Sequence, residues 1–371
     1  MLQKISLILI LLALGTISKA QNQAPSVNER VFYNNNNAEF EAAPVITFSQ
    51  NAAYWENAVK ADSKNETAWI ALFNARLFES FTPHSRELSS ERKKILTEML
   101  KQVETNLPNS FSFYYLSYLN NQSKSEASLQ LLQKAAEKNS SFPEMWDDLL
   151  FSYYLKGDKK GVAEMTDKLF TSSIYSSAIM EYNQNVLSSV EKNGVLVTYG
   201  NIDSYPLLIW QEKFNIRKDV KIVCLEWLSN EKYSADIAKV LGITTESVLN
   251  VSEEKALEAI LKSSKKKIYL GLTLPPAFLK KFSGQLYCTG LAMLNSSKPV
   301  LNIESLENNW TTLFKRKYLY NNDDINRNYL IPLVILYQSE QDASKKAEYR
   351  QTIDFLSNSI GANQNVEKYI R

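Results

Sequence analysis

The chain has 371 residues, 44% of them hydrophobic and 22% charged, and its 42 lysines and arginines stand against 40 acidic residues, for a net charge of +2. That is ample apolar material for a sizeable core, and so even a charge balance excludes the strongly basic field by which a protein holds nucleic acid. A single histidine and two cysteines leave no ligand set for a zinc centre of familiar spacing, so neither a metal nor a cofactor is expected.

The chain begins with one early lysine, Lys4, then an apolar core from Ile5 to Leu14 and a small-residue exit of Ser18, Lys19 and Ala20 before Gln21. This order predicts a secretory signal peptide over residues 1–20, cleaved after Ala20. Gly15 and Thr16 end the apolar run before the roughly 18 residues that a membrane span requires. Loss of Lys4 and Lys19 leaves 40 basic residues against 40 acidic ones. The best later apolar stretch, Tyr329 to Tyr337, is short and contains Pro332, so no integral membrane segment is expected after signal removal. The expected compartment is the periplasm, with outer-membrane association or secretion as alternatives.

Residues 21–50 are polar, with four consecutive asparagines at Asn34–Asn37 and isolated prolines at Pro25 and Pro44, which predicts an extended or mobile lead segment. Helical periodicity then fills residues 51–193. Its clearest unit is Trp146, Leu149 and Tyr153, followed by Gly157 and Asp158 and a helix from Gly161 to Phe170. Large groups three and four positions apart share one helical face, and the Gly-Asp pair reverses the chain. Weaker units centre on Leu132 and Ala135, and on Trp55, Ala58, Trp69 and Leu72. The pattern resembles tetratricopeptide repeats, which recur at about 34 residues.

After Asn193 and Gly194 the texture changes to short apolar runs alternating with helices, which predicts a small parallel α/β domain over residues 194–310. Strands are expected at Val195 to Tyr199, Val220 to Leu225, Lys267 to Leu272 and Gln285 to Leu294. Cys224 and Cys288 lie within these runs and are expected as buried free thiols. Residues 311–371 return to helical periodicity and predict a closing helical pair. The fold class is therefore α and α/β, with an N-terminal helical-hairpin solenoid ahead of the parallel sheet.

The run Gly200, Asn201, Ile202, Asp203, Ser204, Tyr205 and Pro206, followed by Trp210, Gln211, Glu212, Ile216, Arg217, Asp219 and Val220, resembles a stretch in bacterial multi-spanning proteins related to protein O-mannosyltransferases. Their soluble C-terminal portion carries a Gly-Asp-Asn-Asp-Thr-Tyr/Phe-Pro-Leu motif. Here Asn201 replaces its first Asp and Ile202 its Asn. Tyr269 with Pro275 and Pro276, Leu286 to Leu294, and Lys317 to Tyr329 extend the similarity over most of residues 194–360. The transferase chemistry of those proteins belongs to their membrane-embedded part, so the resemblance does not imply mannosyl transfer here.

The loop after the first strand is the candidate site, with Gly200, Asn201, Asp203, Ser204 and Tyr205 as ligand- or partner-binding residues. Gly200 would permit the tight turn, and Asp203 or Ser204 would cap the following helix. No catalytic residue is assigned. His84 stands alone in a polar loop, without a Gly-x-Ser-x-Gly elbow to serve. Asp323 and Asp324 are expected to cap a helix rather than hold calcium, and the basic runs Lys265–Lys267 and Lys315–Lys317 to lie on solvated surface. The expected function is a non-catalytic exported adaptor that binds a protein partner in the bacterial cell envelope. A glycan-binding or glycan-modifying envelope enzyme is the alternative.

Overall fold

The computed structural model describes residues 48–78, 89–121, 123–263, 266–321, 323–359 and 363–370. The signal peptide, nearly all of the lead segment and His84 lie outside them. The chain divides into two compact units between Gly161 and Val162. The sequence suggested a change of texture at Gly194, whereas this division groups the helices just before Gly194 with the sheet.

The first unit is helical. Helix α1 (Phe48–Ala61) packs on α2 (Glu66–Phe78), and α3 (Ser90–Asn106) leads to α4 (Phe111–Asn121), which packs on α5 (Glu126–Lys138). A short 3-10 turn, Pro143–Met145, then precedes α6 (Trp146–Lys156). Small polar residues start these helices by taking otherwise unpaired amides: Asn65 accepts from Ala68 N at 3.0 Å, Ser89 from Arg92 N at 3.2 Å and Ser125 from Ser128 N at 3.3 Å. The rings of Phe111, Tyr115 and Phe142 cluster with centroids 5.0–5.6 Å apart, the burial expected of aromatic groups at helical spacing. Gly157, at φ 70°, ends α6, and Asp158 accepts from the amides of Lys160 and Gly161 to begin α7 (Lys159–Thr171). The unit boundary falls inside α7.

In the second unit α8 (Ser177–Ser188) precedes β1 (Val195–Thr198), α9 (Asn201–Glu212), β2 (Lys221–Cys224), α10 (Glu231–Leu241), α11 (Glu253–Lys262), β3 (Ile268–Gly271) and α12 (Pro276–Lys281). Strands β4 (Leu286–Cys288) and β5 (Ala292–Asn295) follow. The sheet order is β2-β1-β3-β5-β4. Strands β2, β1 and β3 are parallel, while β5 runs antiparallel to both β3 and β4. Two expectations are thereby corrected: the sheet is mixed, and the run from Gln285 to Leu294 is a hairpin instead of one strand. Gly290, at φ 147°, is the reason. It lets Thr289 N reach Ala292 O at 2.9 Å and close the loop, where ten extended residues would have continued past the end of β3. All four residues of β1 are buried, as a strand covered on both faces requires.

The segment after α13 (Ile303–Asn308) is held by polar side chains of α8. Glu181 accepts from the amides of Lys317 and Tyr318, and Asn185 pairs with both backbone groups of Lys315. The backbone of the Lys315–Lys317 run is therefore anchored, whatever its side chains meet. Asp323 accepts from Ile325 N at 3.2 Å and starts the 3-10 turn Asp324–Tyr329, the capping duty expected of it. Helices α14 (Leu330–Ser339) and α15 (Ala343–Ser359) form the closing pair, and a third helix, α16 (Asn363–Ile370), packs on both. Among the described residues no helix is long and apolar enough to cross a membrane.

Candidate functional site

Because β1 lies between β2 and β3, the chain leaves it toward one side of the sheet and later returns on the other. In open α/β sheets ligands gather at the carboxyl ends of strands where the order reverses in this way. The candidate loop begins there. Thr198 ends β1, Gly200 turns the chain at φ 81°, and α9 starts at Asn201. Gly200 occupies the cap position and has no side chain with which to cap, so Asp203 and Ser204 are not the caps the sequence suggested. Both fall inside the first turn.

The five candidates divide by burial. Tyr205 is fully buried, its ring 5.1 Å from Trp227, which in turn lies 5.7 Å from Tyr233. Ser204 is equally buried, and its hydroxyl meets that of Thr198 at 2.8 Å, tying the helix back to the strand. Both residues serve the core. Gly200 and Asn201 are half-buried at the strand ends, and Asp203 is buried beneath them.

Pro206 lies inside α9 and lacks the N–H that would bond Ile202 O. Asn183 of α8 supplies the missing donor, its side-chain amide reaching Ile202 O at 3.0 Å. The first turn that carries Asp203 is thus fixed from α8.

Burial pushes the Asp203 carboxyl up to about 7, with the nearby Glu226 carboxylate adding to the rise. The Thr273 side chain and the backbone N–H of Tyr199 hydrogen-bond the carboxylate and oppose it. Desolvation outweighs the two donors, so the group is poised between its acid and its anion near neutrality. Gly200 faces the second of these carboxylates: a Cβ placed on it would lie 3.9 Å from Glu226 Oε2. The ring of Tyr199 meets that of Phe278 edge-on at 6.3 Å.

Glu226 and Thr273 were not legible as site residues, being far apart in sequence. The signal that could have found them is positional. Gly200, Glu226 and Thr273 each stand two residues beyond the end of β1, β2 or β3, and parallel pairing brings those three ends together.

Cys224 and Cys288 are free and buried, as expected. Burial pushes both thiols up to about 12, which keeps them protonated and unreactive.

No curated protein and no solved structure matches the chain. Residues 179–251, about a fifth of its length, match the family model described as TMEM260-associated domain 2. The match runs from α8 past α10 and so contains the candidate loop; it is consistent, at the level of family relation, with the similarity to O-mannosyltransferase-related proteins that the same loop suggested.

Proposed function

We propose that the protein is a non-catalytic adaptor of the bacterial cell envelope, exported by its signal peptide, that holds its partner at the crevice formed by Gly200, Asn201 and Asp203 with Glu226 and Thr273. The observation that supports a binding role is Asp203: a carboxyl kept in the interior at the strand ends of the sheet, with no helix to cap. The paired helices of the first unit offer a second surface if they stack as tetratricopeptide-like repeats, which commonly receive peptides.

The second reading is a glycan ligand, and one arrangement favours it. Asp203, Glu226 and Thr273 bring acceptors and a hydroxyl together, and the backbone of Tyr199, whose ring meets that of Phe278, hydrogen-bonds Asp203. Carboxylates accept from sugar hydroxyls, and rings of this kind pack against apolar ligand surface while polar groups fix its orientation.

Affinity capture with the tagged mature chain and its Asp203→Asn variant, from envelope extracts, tests both readings. A protein retained by the parent and lost by the folded variant supports the adaptor. Saccharide retained without protein supports the glycan reading, and capture unchanged by the substitution removes the crevice from either.

A further inference from the structure

The basic run Lys315–Lys317, which the crevice does not use, has its backbone held from within while its side chains meet solvent. Two buried residues of α8 hold it. Asn185 bonds both backbone groups of Lys315, at 2.6 and 2.8 Å, and Glu181 accepts from Lys317 N at 3.0 Å and Tyr318 N at 2.8 Å. Phe314 and Leu319, on either side of the run, are buried. Lys315 and Lys317 are exposed, as is Leu313, and Tyr320 is 55% exposed.

Helix α15 borders this segment along one face. Lys345, Glu348, Thr352 and Phe355 recur at helical spacing. Lys345 pairs with Glu307 at 2.6 Å, Glu348 with Arg316 at 3.8 Å, and the Thr352 and Tyr320 hydroxyls meet at 3.3 Å. The ring of Phe355, itself exposed, lies edge-on to Tyr320 at 5.0 Å. Leu313 stands in the chain between Glu307 and Arg316, the two residues that α15 ion-pairs.

Charge on this face does not cancel. Arg316 is answered by Glu348 and Lys345 by Glu307. Among the described residues no carboxylate ion-pairs Lys315 or Lys317, and the Lys317 ammonium lies 5.0 Å over the Tyr318 ring instead. Two uncompensated cations therefore stand beside an exposed leucine and two exposed rings. Their match is a surface with negative charges outermost and apolar groups just beneath, which an anionic bilayer is. An acidic polypeptide supplies only the charges.

We propose that this face docks the protein peripherally on an anionic phospholipid surface, with Lys315 and Lys317 at the phosphates and Leu313, Tyr320 and Phe355 at the headgroup boundary. Because α8 already fixes the backbone of the run, docking orders no further chain there. The proposal is independent of the crevice.

Co-sedimentation of the full mature chain with vesicles tests it, using phosphatidylcholine alone and equal parts of phosphatidylcholine and phosphatidylglycerol. The chain should bind the anionic vesicles and ignore the neutral ones. A lysine near such a surface is worth about fivefold in affinity, so joint Lys315→Gln and Lys317→Gln should weaken binding by about 25-fold at low salt. Leu313→Ser should weaken it by about threefold or more, an effect that salt does not screen. Joint Lys159→Gln and Lys160→Gln, at two exposed positions of α7, should leave binding unchanged. All these side chains are exposed, and an unaltered melting temperature of each variant verifies that the fold is kept. No binding by the parent, equal binding to both vesicles, or a loss in the α7 pair as large as in the Lys315 and Lys317 pair overturns the proposal. A chain that ignores vesicles yet binds polyglutamate through Lys315 and Lys317 assigns the face to an acidic polypeptide and overturns it too.

Discussion

Replacing Asp203 by asparagine should stabilise the protein, and by an amount that depends on pH. The carboxyl titrates at about 7 when folded against an ordinary value of 3.8. A folded-state pKa raised in this way means the native protein holds the proton more tightly than the unfolded chain does. Stability is therefore fully present below about pH 4, falls as pH rises toward 7, and is flat above it. The loss reaches about 4 kcal/mol by pH 8, and is only about 2 kcal/mol at pH 5, where the native carboxyl is still protonated. Asparagine has no proton to lose and nearly the same shape, so the variant escapes the penalty. These figures are upper limits, because the amide keeps a desolvation cost and receives weaker hydrogen bonds from Thr273 and Tyr199 than a carboxylate would. The assay is urea denaturation of parent and variant in parallel from pH 5 to pH 8, read as the difference between them so that all other titrations cancel. The variant's advantage should grow by about 2–3 kcal/mol across that range. An advantage that does not change with pH would refute the assignment of a raised carboxyl at this position, whatever its sign.

Gly290→Ala should cost about 2 kcal/mol or more by the same denaturation assay. The added methyl would press into the Ser189 hydroxyl, which accepts from Leu291 N at 2.8 Å, and would hold a left-handed backbone that only glycine tolerates. Thiol labelling of the denatured, unreduced chain should modify both Cys224 and Cys288, and labelling that needs prior reduction would show a bridge instead. N-terminal sequencing of the exported protein should begin at Gln21, and recovery of Met1 in the membrane fraction would show an uncleaved anchor.

What the sequence disclosed, and what it withheld, follows from the range of the forces involved. Gly157 and Asp158 were readable because a left-handed terminus and an amide-capping carboxylate are settled within one turn of chain. The parallel strands β1, β2 and β3 were readable because burial on both faces makes them continuous apolar runs. The hairpin at Gly290 was missed for a related reason: Leu286 to Leu294 is largely apolar, and periodicity cannot separate one long strand from two short ones. The caps assigned to Asp203 and Ser204 failed because Gly200 starts the helix earlier, so residues with good capping chemistry fell inside its first turn. The role of α8 had a visible sign, since Glu181, Asn183 and Asn185 put polar groups on a helix that otherwise buries apolar ones. Their partners at Ile202, Lys315, Lys317 and Tyr318 are up to 137 residues away, beyond the reach of any local pattern.

The balance at Asp203 bears on why the residue stands there at all. Ser204 and Tyr205 beside it have structural duties that account for them fully, one closing onto Thr198 and the other filling the space against Trp227. Asp203 has no such account. It caps no helix, no cation is among the influences that set its charge, and the Glu226 carboxylate nearby opposes its ionisation. An asparagine would satisfy the Tyr199 amide and the Thr273 hydroxyl without the desolvation penalty, so stability alone selects against the acid. Expensive buried carboxyls of this kind are characteristic of places where a proton or a polar ligand must be met. This one lies where three strand ends converge. The Tyr182 hydroxyl, buried without a hydrogen-bond partner, likewise finds no reason within the fold. Around the first turn of α9 and the helix behind it, then, the second unit keeps a neutral-poised acid within electrostatic range of one unpartnered donor.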